Sequence, residues 1–243
     1  MTSTFLTAEW RDLVMLNYAV DPQVLVRRVP RGTELDLWQG RTLVSLVGFR
    51  FLHTRVLGVP IPFHRDFEEV NLRFYVRRRG PEGWRRGVVF AKEIVPKAAI
   101  AWVARTVYNE NYVALPMRHR IVPPGPPGAG TAGLAEYGWR LDGSWYTLSA
   151  RIEGAPALPP PGSEEEFITE HYWGYALQRD GSSLEYQVEH PQWEVWAAAE
   201  SRFDGDAGAL YGPEFGPFLA GPPVSAFVAV GSPVTVRKGV LVD

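Results

Sequence analysis

The stretch from Asp66 to Met117 limits the folds open to this chain more than any other. It holds two candidate strands, Glu69 to Val76 and Val88 to Val95, joined by a turn at Gly80-Pro81-Glu82-Gly83, and then an alanine-rich helix over Lys97 to Val107. Side chains alternate across a strand, so Glu69, Asn71, Arg73 and Tyr75 share one face, while Val70, Leu72, Phe74 and Val76 share the other. A solvent-facing strand can carry the same polar set; the helix argues for an interior. Pro96 stands near its start, where a missing N–H costs little. Ala98, Ala99, Ile100, Ala101, Val103, Ala104 and Val107 make it apolar nearly all round, so it is expected to be buried. Its Arg105 then needs a partner or an opening, because a buried, unpaired guanidinium is strongly unfavourable.

The rest of the chain reads mainly as strands. Asp12 to Val20 is a candidate strand, and Asp21-Pro22 then sets a cap before a short helix through Arg28. Leu35 to Trp38 and Arg41 to Leu52 follow as strands; the nearly unbroken apolar run Leu43 to Phe51 marks one covered on both faces. Beyond Met117, the segment Pro123 to Gly133 is a Pro/Gly-rich crossing loop. Tyr137 to Leu141 and Ser144 to Ile152 form a hairpin on Asp142-Gly143. Phe167 to Gln178 and Leu184 to Glu189 form another on Asp180-Gly181. Trp193 to Glu200, Ser225 to Val230 and Val234 to Val242 complete the strands, with Asp204 to Pro223 broken by Gly and Pro. The expectation is one mainly antiparallel β domain over residues 1–243 with helical additions.

Composition removes several classes of function. With 243 residues, 46% of them hydrophobic, the chain can bury a large core, and a net charge near -2 gives no global case for nucleic acid or an anionic membrane. No cysteine is present, which excludes disulfides, thiolate metal sites and cysteine nucleophiles. No apolar run approaches the ~20 residues of a membrane helix, and a cytoplasmic location is the default expectation. The arginines around the hairpin turn (Arg77, Arg78, Arg79, Arg85, Arg86) read as a solvated tip protecting an edge, not as a phosphate site. The histidines show neither HxH nor HExxH spacing, so no metal is expected. If residues 170–172 are a strand, Glu170 and Tyr172 share a face and His171 points away from them. His190, before Pro191, reads as a structural histidine. There is no G-x-S-x-G elbow and no phosphate-binding glycine loop.

Several separated motifs carry a resemblance: Glu69-Val70-Asn71-Leu72-Arg73-Phe74-Tyr75-Val76, Gly87 to Pro96, the helix ending Ala104-Arg105, Tyr108 to Tyr112, Phe167-Ile168-Thr169-Glu170-His171-Tyr172, and His190-Pro191-Gln192-Trp193. Together they resemble the YqjF-like family of uncharacterised bacterial proteins. The resemblance implies the cone-like antiparallel β-barrel of acetoacetate decarboxylase, with a pocket inside the cone. In acetoacetate decarboxylase a lysine forms a Schiff base from a short Tyr-Pro-Lys-Lys element. The nearest comparable element here, Tyr108-Asn109-Glu110-Asn111, contains no lysine. Lys92 lies within a strand, Lys97 begins the helix, and neither has a lysine beside it.

The resulting expectation is a cavity that binds a small molecule, such as a carboxylate, without a cofactor and without nucleic acid or membrane as partner. Its ligand-binding residues would be Asn71, Arg73, Tyr75, Arg105, Tyr108 and Tyr172. Arg73 and Arg105 would hold the anionic group, and Glu69 or Glu170 would act as acid or base, in lyase- or hydrolase-like chemistry without a Schiff base. The alternative is a non-catalytic structural or interaction protein whose interior charges form a network fixing the register. Whether there is turnover, and whether the chain forms a homo-oligomer, stays open at this point.

Overall fold

The computed structural model describes residues 3–107, 109, 111–126 and 130–242, with the backbone alone for 103–107. β1 (Thr4–Val20) starts well before Asp12, the expected first residue. Asp21 caps the next turn by accepting a 2.8 Å hydrogen bond from the Gln23 amide. With Pro22 in the first position, the chain makes two short 3-10 turns, Pro22–Val24 and Val26–Arg28. Next come β2 (Glu34–Leu35), β3 (Thr42–Val56), β4 (Val59–Pro60), β5 (Phe67–Gly80), β6 (Gly83–Val95), α1 (Ala98–Val107), β7 (Tyr112–Ala114) and β8 (Met117–Val122). They are followed by β9 (Gly133–Leu141), β10 (Ser144–Ile152), α2 (Glu164–Thr169), β11 (Trp173–Leu177), β12 (Ser183–Glu189) and β13 (Val195–Asp204). The chain ends with α3 (Ala207–Tyr211), α4 (Gly216–Leu219), β14 (Ser225–Arg237) and β15 (Val240–Val242).

Seven strands pair in the circular order β12–β11–β6–β5–β3–β1–β14, and the ring closes where Val188 and Glu189 of β12 pair with Val236 and Thr235 of β14. Pairing is antiparallel except for β6 with β11 and β6 with β7, so the sheet is mixed. From β14 it continues through β13, β10, β9 and β8. Outward-facing Val14, Leu16, Val44, Leu46, Leu72 and Phe74 pack with Tyr137, Trp139 and Leu148 of β9 and β10. Inward-facing Leu13, Met15, Val47, Phe49, Phe51, Phe67 and Val88 form a second cluster inside the ring. Both faces of β3 are therefore covered, which accounts for its unbroken apolar sequence. The layers come close at Gly48, where an added Cβ would stand 2.7 Å from the Tyr137 ring.

The inward face changes parity along several strands. On β1 it passes from Trp10 to Leu13 around Asp12, whose φ is 57°. On β3 it passes from Phe51 to Thr54 around His53, at φ 55°. On β14 it passes from Ala229 to Val234 around Gly231, at φ 81°, where a Cβ would lie 2.0 Å from the Trp10 carbonyl oxygen. Only glycine fits that position without displacing β1. On β6 the register slips at Ala91: Arg73 pairs with Phe90 and Leu72 with Lys92. Each such bulge turns the following side chains to the other face of the sheet.

Three expectations are corrected. The alanine-rich helix is not buried all round: Ala101 is 2% exposed, but Ala98 and Ala99 face solvent and Trp102 is 68% exposed. Methyl side chains carry little apolar area, so such a helix gains little from full enclosure. The expected strand from Phe167 starts only at Trp173, because Glu164–Thr169 is helical. Ser163 caps that helix through the Glu166 amide (3.2 Å), and three acidic residues occupy its first turn, complementing the positive end of the helix dipole. Finally, the Gly- and Pro-broken segment after Asp204 holds the short helices α3 and α4, the first capped by Asp206 at the Ala209 amide, 3.0 Å.

Candidate functional site

A cavity of about 240 Å³ occupies the ring. β5 supplies Phe67, Glu69, Asn71 and Arg73 to its wall, so the alternation expected for this strand does point its polar face inward. β6 supplies Val88, Phe90 and Glu93; β7 adds Tyr112, α1 adds Ala99 and Ile100, and the end of α2 adds Ile168 and Thr169. Trp10, Phe49, Phe51 and Trp193 line one stretch as an aromatic sleeve, with Phe51 and Phe67 stacked at 4.6 Å and Trp10 edge-on to Phe49 at 5.4 Å. Ile61 and His64, in the exposed loop before β5, border the opening.

The polar wall divides into satisfied and unsatisfied groups. Glu69, 2% exposed, accepts hydrogen bonds from Asn71 Nδ2 (3.0 Å) and from the Tyr112 hydroxyl (3.1 Å). The Asn71 Oδ1, by contrast, has no partner. Arg73 is 9% exposed, and among the described residues its guanidinium reaches the Ile168 carbonyl (3.4 Å), the Met15 sulfur (3.8 Å) and the Tyr75 ring (5.7 Å). Its Nε has no partner, and among the described residues no carboxylate pairs with it. Buried cations are ordinarily paired. This one faces a cavity instead. Trp10 Nε1 and Thr54 Oγ1, also on the wall, are likewise without partners.

His171 lies on the same wall and reaches it for a reason the strand expectation hid: it follows the end of α2 rather than sitting within a β segment. Its Nε2 is 3.4 Å from Arg86 Nη2 and 3.5 Å from Asp36 Oδ2, while Arg86 Nε donates to that same Asp36 oxygen at 2.7 Å. Nε2 thus lies between a guanidinium, which can only donate, and a carboxylate, which can only accept, while Nδ1 has no partner among the described residues. Burial lowers the His171 pKa to about 4, outweighing the nearby Asp36 carboxylate, so the ring is neutral at pH 7. His190 also lines the cavity, between the rings of Trp193 (4.2 Å) and Tyr172 (4.7 Å), and burial lowers its pKa too.

Of the residues singled out in the sequence, Glu69, Asn71 and Arg73 stand together on the cavity wall. Tyr75 lies just beyond it, 1% exposed, with its hydroxyl on Ser45 and its ring 4.6 Å from His171. Glu170 caps the end of α2 and accepts a hydrogen bond from the Tyr172 hydroxyl; this pair stands behind His190 rather than among the lining side chains. The side chain of Arg105 and all of Tyr108 lie outside the described residues. Glu93, His171, Trp10 and Thr54 were missed. The Ser163-x-x-Glu166 spacing would have revealed α2, and with it the placement of His171; the bulge that turns Glu93 inward has no comparable local signal.

Four of the five hairpin arginines are neutralised locally. Arg77 pairs with Glu34 (2.7 Å) and Arg86 with Asp36 (2.7 Å), Arg78 and Arg85 both meet the buried Glu185, and Arg77 and Arg79 flank the Trp84 ring at 4.4 and 5.2 Å. Among the described residues no helix is long and apolar enough to cross a membrane.

The family model DUF2071, described as an uncharacterized conserved protein, matches residues 7–233. The chain belongs to this family. YqjF of Bacillus subtilis, itself uncharacterized, is 36% identical over 75 residues, a match covering 30% of this chain and 31% of that protein. Solved structures with the same fold include the enduracididine biosynthesis enzyme MppR complexed with pyruvate, at 16% identity and a TM-score of 0.69, covering 99% of this chain and 91% of that one. Acetoacetate decarboxylase of Legionella pneumophila superposes with a TM-score of 0.67 at 13% identity, covering 99% and 88%. At these identities the likeness establishes the fold: this DUF2071 chain is mainly β, with the architecture of acetoacetate decarboxylase.

Proposed function

We propose that this DUF2071 protein, folded as one domain, binds a small anion, a carboxylate above all, in the cavity of its ring, with Arg73 as the anion's principal partner. The observation carrying this reading is the Arg73 guanidinium itself, nearly buried, on a cavity wall, with no carboxylate paired to it among the described residues. A carboxylate there would accept charge-assisted hydrogen bonds and relieve the cost of burying the cation. Asn71 and the neutral His171 would supply further polar contacts, and Tyr75 would hold the guanidinium from behind. MppR, a solved structure of the same fold, is complexed with pyruvate, which supports the same class of ligand.

The reaction of acetoacetate decarboxylase is not proposed for this chain. Among the described lining residues there is no lysine: Lys92 faces outward and donates to the Leu210 carbonyl, and Lys97 is exposed. If turnover accompanies binding, Glu69 is the carboxyl group placed to hold or take a proton beside the bound anion, in chemistry without a Schiff base. Glu170 and Tyr172 would act from behind the wall by positioning His190.

A second reading, an interior polar network that fixes the register without any ligand, draws support from the hydrogen-bonded belt of Ser225, Asn17, Ser45 and Tyr75. That network does not include Arg73. The two readings separate in a thermal-shift screen of small carboxylates: the melting temperature of the wild type should rise, and that of Arg73→Met should not. Stabilisation of both proteins alike, or of neither, would remove the anion site.

A further inference from the structure

The arrangement of the wall narrows the ligand further. Arg73 stands at the closed end of the cavity, next to Tyr75, Ile168 and His171. Six residues back along β5, roughly 20 Å at the rise of a strand, Phe67 lies toward the opening, where Ile61 is 40% exposed. Between these ends the wall combines the sleeve of Trp10, Phe49, Phe51, Phe67 and Trp193 with the hydrogen-bonded Glu69, Asn71 and Tyr112, and the exposed chain beside the mouth continues the apolar character with Leu57, Val59 and Phe63. The 240 Å³ of space holds roughly eight water-sized units at ~30 Å³ each. An anion of two or three carbons seated on Arg73 would leave most of that sleeve unfilled, and the apolar walls would gain nothing from it.

We propose that the ligand is a monocarboxylate with an extended apolar body, about six to eight carbons in all, its acid group on Arg73 and its body entering the inner part of the aromatic sleeve without reaching the mouth. This rests on the anion reading above and adds to it the class of molecule. The orientation follows from charge: Arg73, with Asn71 Oδ1 and His171 Nδ1 beside it, is the cation on the described wall, whereas the polar groups nearer the mouth are the Glu69 and Glu93 carboxyls, Trp10 Nε1 and Thr54 Oγ1, so the acid points inward and the hydrocarbon toward the mouth.

The test is isothermal titration calorimetry of the intact wild-type protein with acetate, butanoate, hexanoate and octanoate, alongside Arg73→Gln and the matching primary alcohols. The dissociation constant should fall about fourfold per added methylene and level off once the sleeve is full. Arg73→Gln should weaken every acid by at least about tenfold while keeping the dependence on length, and the alcohols should bind both proteins alike. Acetate binding as tightly as octanoate, with both lost in Arg73→Gln, would overturn the apolar body and leave the anion site standing. No binding of any acid to the wild type, or a length dependence with no effect of Arg73→Gln, would overturn the anion reading and this inference together. The wild-type series decides the role of chain length whether or not the variant folds.

Discussion

Two polar regions face the inside of the same ring, and their hydrogen bonding is opposite. At the end near Tyr75 a belt crosses four neighbouring strands. The Tyr75 hydroxyl donates to Ser45, Ser45 donates to Asn17 Oδ1 (2.6 Å), Asn17 Nδ2 donates to Ser225 (2.9 Å), and Ser225 donates to the Glu164 carboxylate. Each serine hydroxyl in it gives one hydrogen bond and takes one. Farther along β5 and just after α2, Arg73 Nε, Asn71 Oδ1 and His171 Nδ1 have no partner among the described residues. Burial alone does not separate the two regions, since Asn17 and Ser45 are 0% exposed and Asn71 is 1% exposed. Satisfaction does: a closed network holds strands in register, whereas open donors and acceptors beside a cavity are groups a ligand completes.

The largest effect should come from breaking the belt. Asn17→Ala leaves the buried Ser45 hydroxyl and the half-buried Ser225 hydroxyl without their partner and should cost ~3 to 4 kcal/mol, lowering the melting temperature by roughly 6 to 15 °C in calorimetry. A loss of less than ~1 kcal/mol would mean that the belt is no better satisfied than the cavity wall. Next comes acidification. His171 is neutral in the folded protein down to about pH 4, whereas an unfolded histidine takes up its proton near 6.5. The unfolded state therefore binds more protons between those values, and stability falls as pH drops through that window. Relative to His171→Gln, which has no imidazole, the wild type should lose up to ~3 kcal/mol between pH 7 and pH 4; urea melts at each pH measure it, and parallel curves would show that the ring is not buried neutral.

Arg73→Met should have the opposite sign to Asn17→Ala. Removing an unpaired, buried cation should raise stability by ~1 to 2 kcal/mol while abolishing the response to carboxylates. A strong destabilisation would join Arg73 to the structural network and erase the contrast between the two regions. The smallest effect should come from outside the ring. Glu34→Ala removes the exposed partner of Arg77 and should change stability by less than ~0.5 kcal/mol in 0.15 M salt.

Much of the fold was legible because its signals are local. The alternation of Glu69 to Val76, the apolar run of β3, the Asp21-Pro22 cap and the Asp142-Gly143 hairpin each depend on a few adjacent residues. Glu69, Asn71 and Arg73 could be grouped for the same reason. His171 could not, because its position depends on a helix of six residues being recognised in a stretch rich in aromatic and β-branched side chains that also suits a strand.

By itself, then, the sequence determined that β5 carries one oily face and one face of chemistry, because period two is a property of the strand's own backbone. Only the tertiary structure decided which side chains join that face from elsewhere. Strict alternation on β6 would put Lys92 with Val88 and Phe90, toward the cavity, and Glu93 on the far side. The slip at Ala91 reverses them, so that Glu93 lines the cavity and Lys92 faces α3. One unpaired residue inverts everything after it, and its position is fixed by the strands paired on either side of β6, which no stretch of adjacent residues contains.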